Sequence, residues 1–207
     1  MNWLDIDKSH VWHPYNALPS KTKILPVKKT DKTTIFLETN EELIDGMSSW
    51  WSAIHGYNHP KLNEALKKQV EIMPHIMFGG LAHEQASLLS KKLVELTGLN
   101  SVFLCDSGSV SVEVALKTAI LYQKAKGLKK YKFLALQNAY HGDTLGAMSV
   151  CDPQNSMHSI YGSYLSEHIF TKAPALGFES DCLESIRDLE ENFEKHQIGR
   201  ASCRERV

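Results

Sequence analysis

Along residues 60–150 the apolar residues change period in a fixed order: helix, helix, strand, helix, strand, helix. Nothing else in the chain restricts the fold as much. Strands that alternate with helices must be joined by crossovers, and crossovers build an α/β domain around a largely parallel sheet. Pro60 suits a first helical position, and Leu62, Ala65, Leu66, Val70 and Met73 form one stripe that Pro74 ends. Leu89, Leu93 and Leu96 line a second helix over 84–96, closed by Gly98. A strand over 102–104 leads into a helix over 110–124 that ends near Gly127. A strand over 132–136 precedes a short helical patch at 145–148. In such sheets ligands bind beyond the carboxyl ends of the strands. Two loops lie there: Ser107-Gly108-Ser109 and Tyr140-His141-Gly142.

The first loop is a strand–turn–helix junction with a glycine in the turn. Free N–H groups converge there with the positive end of the helix dipole, which suits a phosphate. Small residues also close many such turns for purely structural reasons. The junction has no Gly-Lys-Ser/Thr and is not Gly-x-Gly-x-x-Gly, so a monophosphate fits it better than a dinucleotide. In the second loop Tyr140 offers a ring to stack on a flat heterocycle, and Gly142 allows close backbone approach. A lone tyrosine is more often core or rim, but the neighbouring phosphate turn favours a ligand.

Upstream, residues 1–20 read as irregular, because Pro14 and Pro19 oppose a helix. Residues 24–47 read as a small antiparallel sheet, with a β-rich run at 33–38 and a polar turn before Leu43 and Ile44. The adjacent Trp50 and Trp51 cannot both face one core from an extended chain. One is then available to line a pocket, although burial of both in a loop is an equal alternative. Beyond residue 151 the pattern weakens: Asp152-Pro153 and Ser156-Met157-His158 read as loop, and 183–193 as a polar amphipathic helix.

The chain has 207 residues, 43% of them apolar, and a net charge of −1, which argues against a nucleic-acid binder. Four cysteines without paired spacing predict reduced thiols and a cytoplasmic protein. The N-terminus lacks the pattern of a secretory signal, and no apolar run approaches the ~20 residues of a membrane span. The ten histidines show no metal-binding spacing, and no Gly-x-Ser-x-Gly elbow supports a serine hydrolase, so no metal is expected. Residues 198–207 back-translate to a common sequencing-library adapter and are expected to be non-native, an ordinary basic tail being the alternative.

Asp106-Ser107-Gly108-Ser109 with Glu113, Ala115 and Lys117, followed by Tyr140-His141-Gly142, resembles the class III aminotransferases. The resemblance runs almost continuously over residues 10–170. It includes His13-Pro14-Tyr15, Asp45-Gly46-Met47-Ser48-Ser49-Trp50-Trp51, Ile54-His55-Gly56-Tyr57-Asn58-His59-Pro60 and Met77-Phe78-Gly79-Gly80. It continues through Gly146-Ala147-Met148-Ser149-Val150-Cys151-Asp152-Pro153 and Asn155-Ser156-Met157-His158. The Trp-Trp and Cys-Asp-Pro blocks resemble the biotin-synthesis branch of that family. The resemblance implies the aspartate-aminotransferase fold (fold type I) and the cofactor pyridoxal 5'-phosphate. It implies transfer of an amino group from S-adenosylmethionine to 8-amino-7-oxononanoate by a homodimer. Another ω-aminotransferase, or a non-catalytic binding module, are the competing readings, and lysine is an alternative amino donor.

Residue by residue, the resemblance implies that Gly108 and Ser109 hold the cofactor phosphate. Tyr140 stacks on the pyridine ring and borders the substrate. Trp50 lines the substrate pocket with Trp51 beside it, and Tyr15 helps recognise the oxononanoate. The family's catalytic lysine, its cofactor Asp and its carboxylate-binding Arg match no position here, and Lys117 reads as structural. The implied organisation is the first segment of a small domain over 1–55 and the first part of the large cofactor domain over 56–197. On this reading the 207-residue chain by itself is expected to be inactive.

Overall fold

The structure, a computed structural model, describes residues 2–154, 157–175, 182–196 and 198. The readings at Asn155, Ser156 and Gln197 and over 199–207 lie outside these residues. The chain divides into two units, Met1–His83 and Glu84–Val207.

The first unit opens with helix α1, Trp3–His10, where the sequence reading expected irregular chain. The correction has a local cause. Asn2 caps the helix and Asp5 returns a bond to the cap N–H at 3.3 Å, a capping box that satisfies two orphan donors. The helix ends before Pro14, so the prolines never oppose it. Strands β1 (Val27–Asp31), β2 (Thr34–Leu37) and β3 (Glu42–Ile44) then form an antiparallel sheet in the order β1-β2-β3, as the β-rich run predicts. Leu37, the last residue of the middle strand, is buried. Lys32 and Tyr57 exchange backbone hydrogen bonds of 3.0 and 2.7 Å, which fasten the end of the tryptophan segment to the β1–β2 hairpin. A Cβ at Gly56 would stand 3.0 Å from the Lys32 carbonyl oxygen, so this crossing needs glycine. Helix α2, Pro60–Ile72, starts at the expected proline, and its apolar stripe (Leu62, Leu66, Val70) is exposed.

The second unit contains α3 (Glu84–Thr97), α4 (Gly108–Ala125), β4 (Leu134–Leu136), α5 (Leu145–Ser149), a 3-10 helix (Met157–Tyr164), β5 (Ile169–Thr171) and α6 (Leu183–Lys195). Gly98 closes α3 at φ +69°, and Gly127 follows α4 at φ +74°, both in the left-handed conformation that glycine tolerates. β4 and β5 pair in parallel, Leu134 opposite Ile169 and Leu136 opposite Thr171, which fits the crossover expectation. One expected strand does not form. Residues 102–104 belong to no ladder among the described residues, and without a pairing partner an extended run is not a strand. β5 and the 3-10 helix were not foreseen; three residues carry too little periodicity to announce a strand. The buried centre is a continuous run, Ala147, Met148, Ser149, Val150, Cys151 and Asp152, with Thr171 beside β4. This core lies directly behind the Tyr140 loop. Among the described residues no helix is long and apolar enough to cross a membrane.

Candidate active site

Helix α4 begins where the sequence places the phosphate turn. Ser107 is its N-cap: the hydroxyl accepts the N–H of Val110 at 3.3 Å, and the carbonyl accepts the N–H of Ser111 at 2.9 Å. The N–H groups of Gly108 and Ser109 belong to the first turn and have no acceptor within the helix. Nothing stands within 4 Å of a Cβ built on Gly108, so the approach to these donors is open. The helix has 18 residues, long enough to present a full dipole at this end.

Ser109 connects this helix to the loop after β4. Its hydroxyl oxygen accepts the N–H of Asp143 at 3.0 Å. That bond uses a lone pair and leaves the hydroxyl proton to be donated to an anion. The Asp143 carboxylate accepts the Tyr140 phenol at 2.9 Å. Ser109 and Tyr140, 31 positions apart in sequence, thus meet through one residue. Tyr140 is 64% exposed, so its ring presents a face to solvent rather than to the core.

Buried groups fix the loop from behind. Cys151, 1% exposed, accepts the His141 N–H at 3.2 Å and donates to the Ala147 carbonyl at 3.2 Å. Asp152 accepts the Asn138 N–H at 2.9 Å and the Gln154 N–H at 2.8 Å. Asn138, at φ +58°, and Gly142, at φ +128°, bracket the loop with two unusual backbone angles. The motif that contains Cys151 and Asp152 implies no task for either; their contacts cross the chain, and periodicity does not report such contacts.

The other candidates lie in the first unit. Ser48, Ser49, Trp50 and Trp51 all have left-handed backbone, with φ between +49° and +67°. The chain there is not extended, so the argument from alternating faces does not apply. Asp45 holds this turn: its carboxylate accepts the N–H of Met47 at 3.0 Å, the N–H of Ser49 at 2.6 Å and the phenol of Tyr57 at 2.5 Å. The Tyr57 phenol, ahead of the backbone N–H groups, holds the Asp45 carboxyl below the usual carboxylate range. In return, Asp45 raises the Tyr57 phenol. The turn displays both indoles: Trp50 is 58% and Trp51 71% exposed. The Tyr15 ring meets the Trp50 ring at 5.4 Å between centroids. The sequence motifs imply no role for Asp45 or Tyr57, although an Asp-Gly pair before two serines signals a side-chain-held turn. Among the described residues no group of three His, Cys, Asp or Glu side chains is placed to hold a metal.

Comparison with known proteins identifies the family. The family model "Aminotransferase class-III" matches residues 15–199. The adenosylmethionine-8-amino-7-oxononanoate aminotransferase of Buchnera aphidicola subsp. Baizongia pistaciae is 49% identical over 180 residues, 86% of this chain and 42% of that protein. The protein of the same name from Saccharomyces cerevisiae is 47% identical, over 93% of this chain and 44% of its own length. The crystal structure of adenosylmethionine-8-amino-7-oxononanoate aminotransferase from Methanocaldococcus jannaschii superposes with a TM-score of 0.81 at 30% identity, covering 93% of this chain and 43% of that one. The chain therefore spans less than half the length of these relatives. Its fold is the mixed α/β fold type I of these enzymes. A family model that matches residues 15–199 leads to one assignment: the chain belongs to the class III aminotransferases.

Proposed function

We propose that this chain contributes the phosphate cradle and the aromatic substrate wall of a pyridoxal-phosphate aminotransferase of biotin synthesis. The reaction moves an amino group from S-adenosylmethionine to 8-amino-7-oxononanoate and yields 7,8-diaminononanoate. The observation that carries the reading is the 49% identity to a relative named for that reaction, extending through the tryptophan turn.

The residues present fit the cofactor. A monophosphate needs donors and no competing side chain, and the open first turn at Gly108 supplies both. The Ser109 hydroxyl keeps a proton to donate, and the exposed Tyr140 ring offers a flat face for a pyridine ring. When bound, pyridoxal phosphate supplies the electron sink that amino transfer requires. This chain's residues bind and orient. Gly108 and Ser109 hold the phosphate, and Tyr140 fixes the ring plane. Trp50, Trp51 and Tyr15 give the apolar chain of the keto acid a wall and shield it from water. No lysine of this chain takes the role of proton carrier. A cytoplasmic homodimer is the assembly we propose for the complete enzyme.

The test is a chimera in which this chain replaces the matching segment of the Buchnera relative. The chimera is expected to form 7,8-diaminononanoate. A chimera that binds pyridoxal phosphate, transaminates simple amines and leaves 8-amino-7-oxononanoate untouched would instead assign the chain to an ω-aminotransferase.

A further inference from the structure

Helix α4 grips the Tyr140 loop at two points one turn apart. Ser109 accepts the Asp143 N–H at 3.0 Å, and Glu113 accepts the Gly146 N–H at 2.7 Å. Four residues apart, the two side chains share one face of the helix. The surface they meet is shaped for them. A Cβ on Gly142 would overlap Ser109 down to its Cα, so there only glycine lets the backbone come so close; a Cβ on Gly146 would overlap the Glu113 carboxylate and push it off its bond. Gly146 lies in the first turn of α5, where N–H groups lack helical acceptors, and a carboxylate is well suited to fill that need. Between the two grips lies Asp143, whose carboxylate anchors the Tyr140 phenol.

We infer that Glu113 is a positioning residue for the Tyr140 ring. With Ser109 it forms a two-point latch that keeps the aromatic loop in register with the phosphate end of α4. Glu113 touches neither ligand nor reacting atoms. With the Glu113 bond released, the loop would be held to α4 at Ser109 alone and could pivot about that point, so the distance between phosphate and ring depends on Glu113. The inference rests on the cofactor reading above, but the latch itself can be read without any ligand.

Amide hydrogen exchange of the 207-residue chain, without ligand, is the first measurement. In Glu113→Ala the amides of Gly146 and Asp143 are expected to exchange about tenfold faster or more, the loss typical of a hydrogen bond to a charged acceptor. Those of α3 stay unchanged. Glu113→Gln keeps an acceptor and returns exchange towards wild type. The second measurement is affinity for pyridoxine 5'-phosphate, which has ring and phosphate, against inorganic phosphate. Glu113→Ala is expected to weaken the first about tenfold and the second by less than about twofold. Unchanged exchange at Gly146, or equal weakening of both probes, would overturn the inference. Should Glu113→Ala unfold, Glu113→Asp, one methylene shorter, is held to the same readings. A wild-type chain that binds neither probe overturns the cofactor reading and the role for the ring, and exchange alone then decides the latch.

Discussion

The rings of Tyr15 and Trp50 lie 5.4 Å apart with their planes inclined by 56°. Both residues have left-handed backbone, at φ +60° and +58°, and both rings are largely exposed. A tilted aromatic pair at this distance is attractive, yet rings that served only the core would be buried. Two strained backbones that hold two rings in the open suit the substrate wall proposed above.

Trp50→Ala is therefore expected to separate stability from binding. The free energy of unfolding changes by about 1 kcal/mol or less, because an exposed ring contributes little to the core. In the chimera the KM for 8-amino-7-oxononanoate rises roughly tenfold or more, as truncation of an aromatic anchor does. Urea denaturation and steady-state kinetics check the two halves, and a large stability loss with unchanged KM would make Trp50 structural.

Asp45 is expected to make the tryptophan turn sensitive to acid. Its folded pKa lies below the ordinary value of 3.8, chiefly through the Tyr57 phenol. A depressed carboxylate contributes fully above its unfolded pKa, and the contribution disappears as pH falls through the folded value. The near-UV circular dichroism of the indoles should hold steady down to about pH 4 and change below it. Asp45→Asn should show the altered signal already at neutral pH.

Gly142→Ala is expected to destabilise the second unit by about 2 kcal/mol or more. A φ of +128° is close to glycine-only territory, and the added Cβ meets Ser109 as well. Thermal denaturation of the variant measures the loss. Gly79→Ala, with open space at its Cβ, serves as the control.

His168 is expected to set a milder acid limit. Burial first, and the nearby Lys132 charge second, hold its pKa below 6.5. The neutral ring suits its partners: Nε2 lies 3.1 Å from the Ser149 hydroxyl, and Nδ1 accepts the Phe133 N–H at 3.5 Å. The stabilisation is complete above pH 6.5 and is lost as pH falls through the lower folded value. The wild-type Tm should drop between pH 6.5 and 5 more than that of His168→Gln.

The sequence by itself determined the order and the ends of the helices from α2 to α4. Pro60, Gly98, Gly127 and the stripes through Leu62 and Leu89 act within a few residues, and helical hydrogen bonds close locally. A largely parallel sheet followed from alternation, though not the strand that pairs with β4, and the start of α4 was legible at Ser107 because an N-cap is a local event. The capping box at Asn2 and Asp5 was legible too, though the prolines further on masked it. Only the tertiary structure decided the rest. Residues 102–104 have strand composition and no ladder, whereas β5 has a ladder and little composition, since a strand exists through its partner. The left-handed turn that exposes Trp50 depends on Tyr57, 12 residues from the aspartate it binds. The grip of Ser109 and Glu113 on the Tyr140 loop spans more than 30 residues of chain. Such bonds leave no period in a sequence, because their geometry is set by how the backbone folds back and not by the spacing between neighbours.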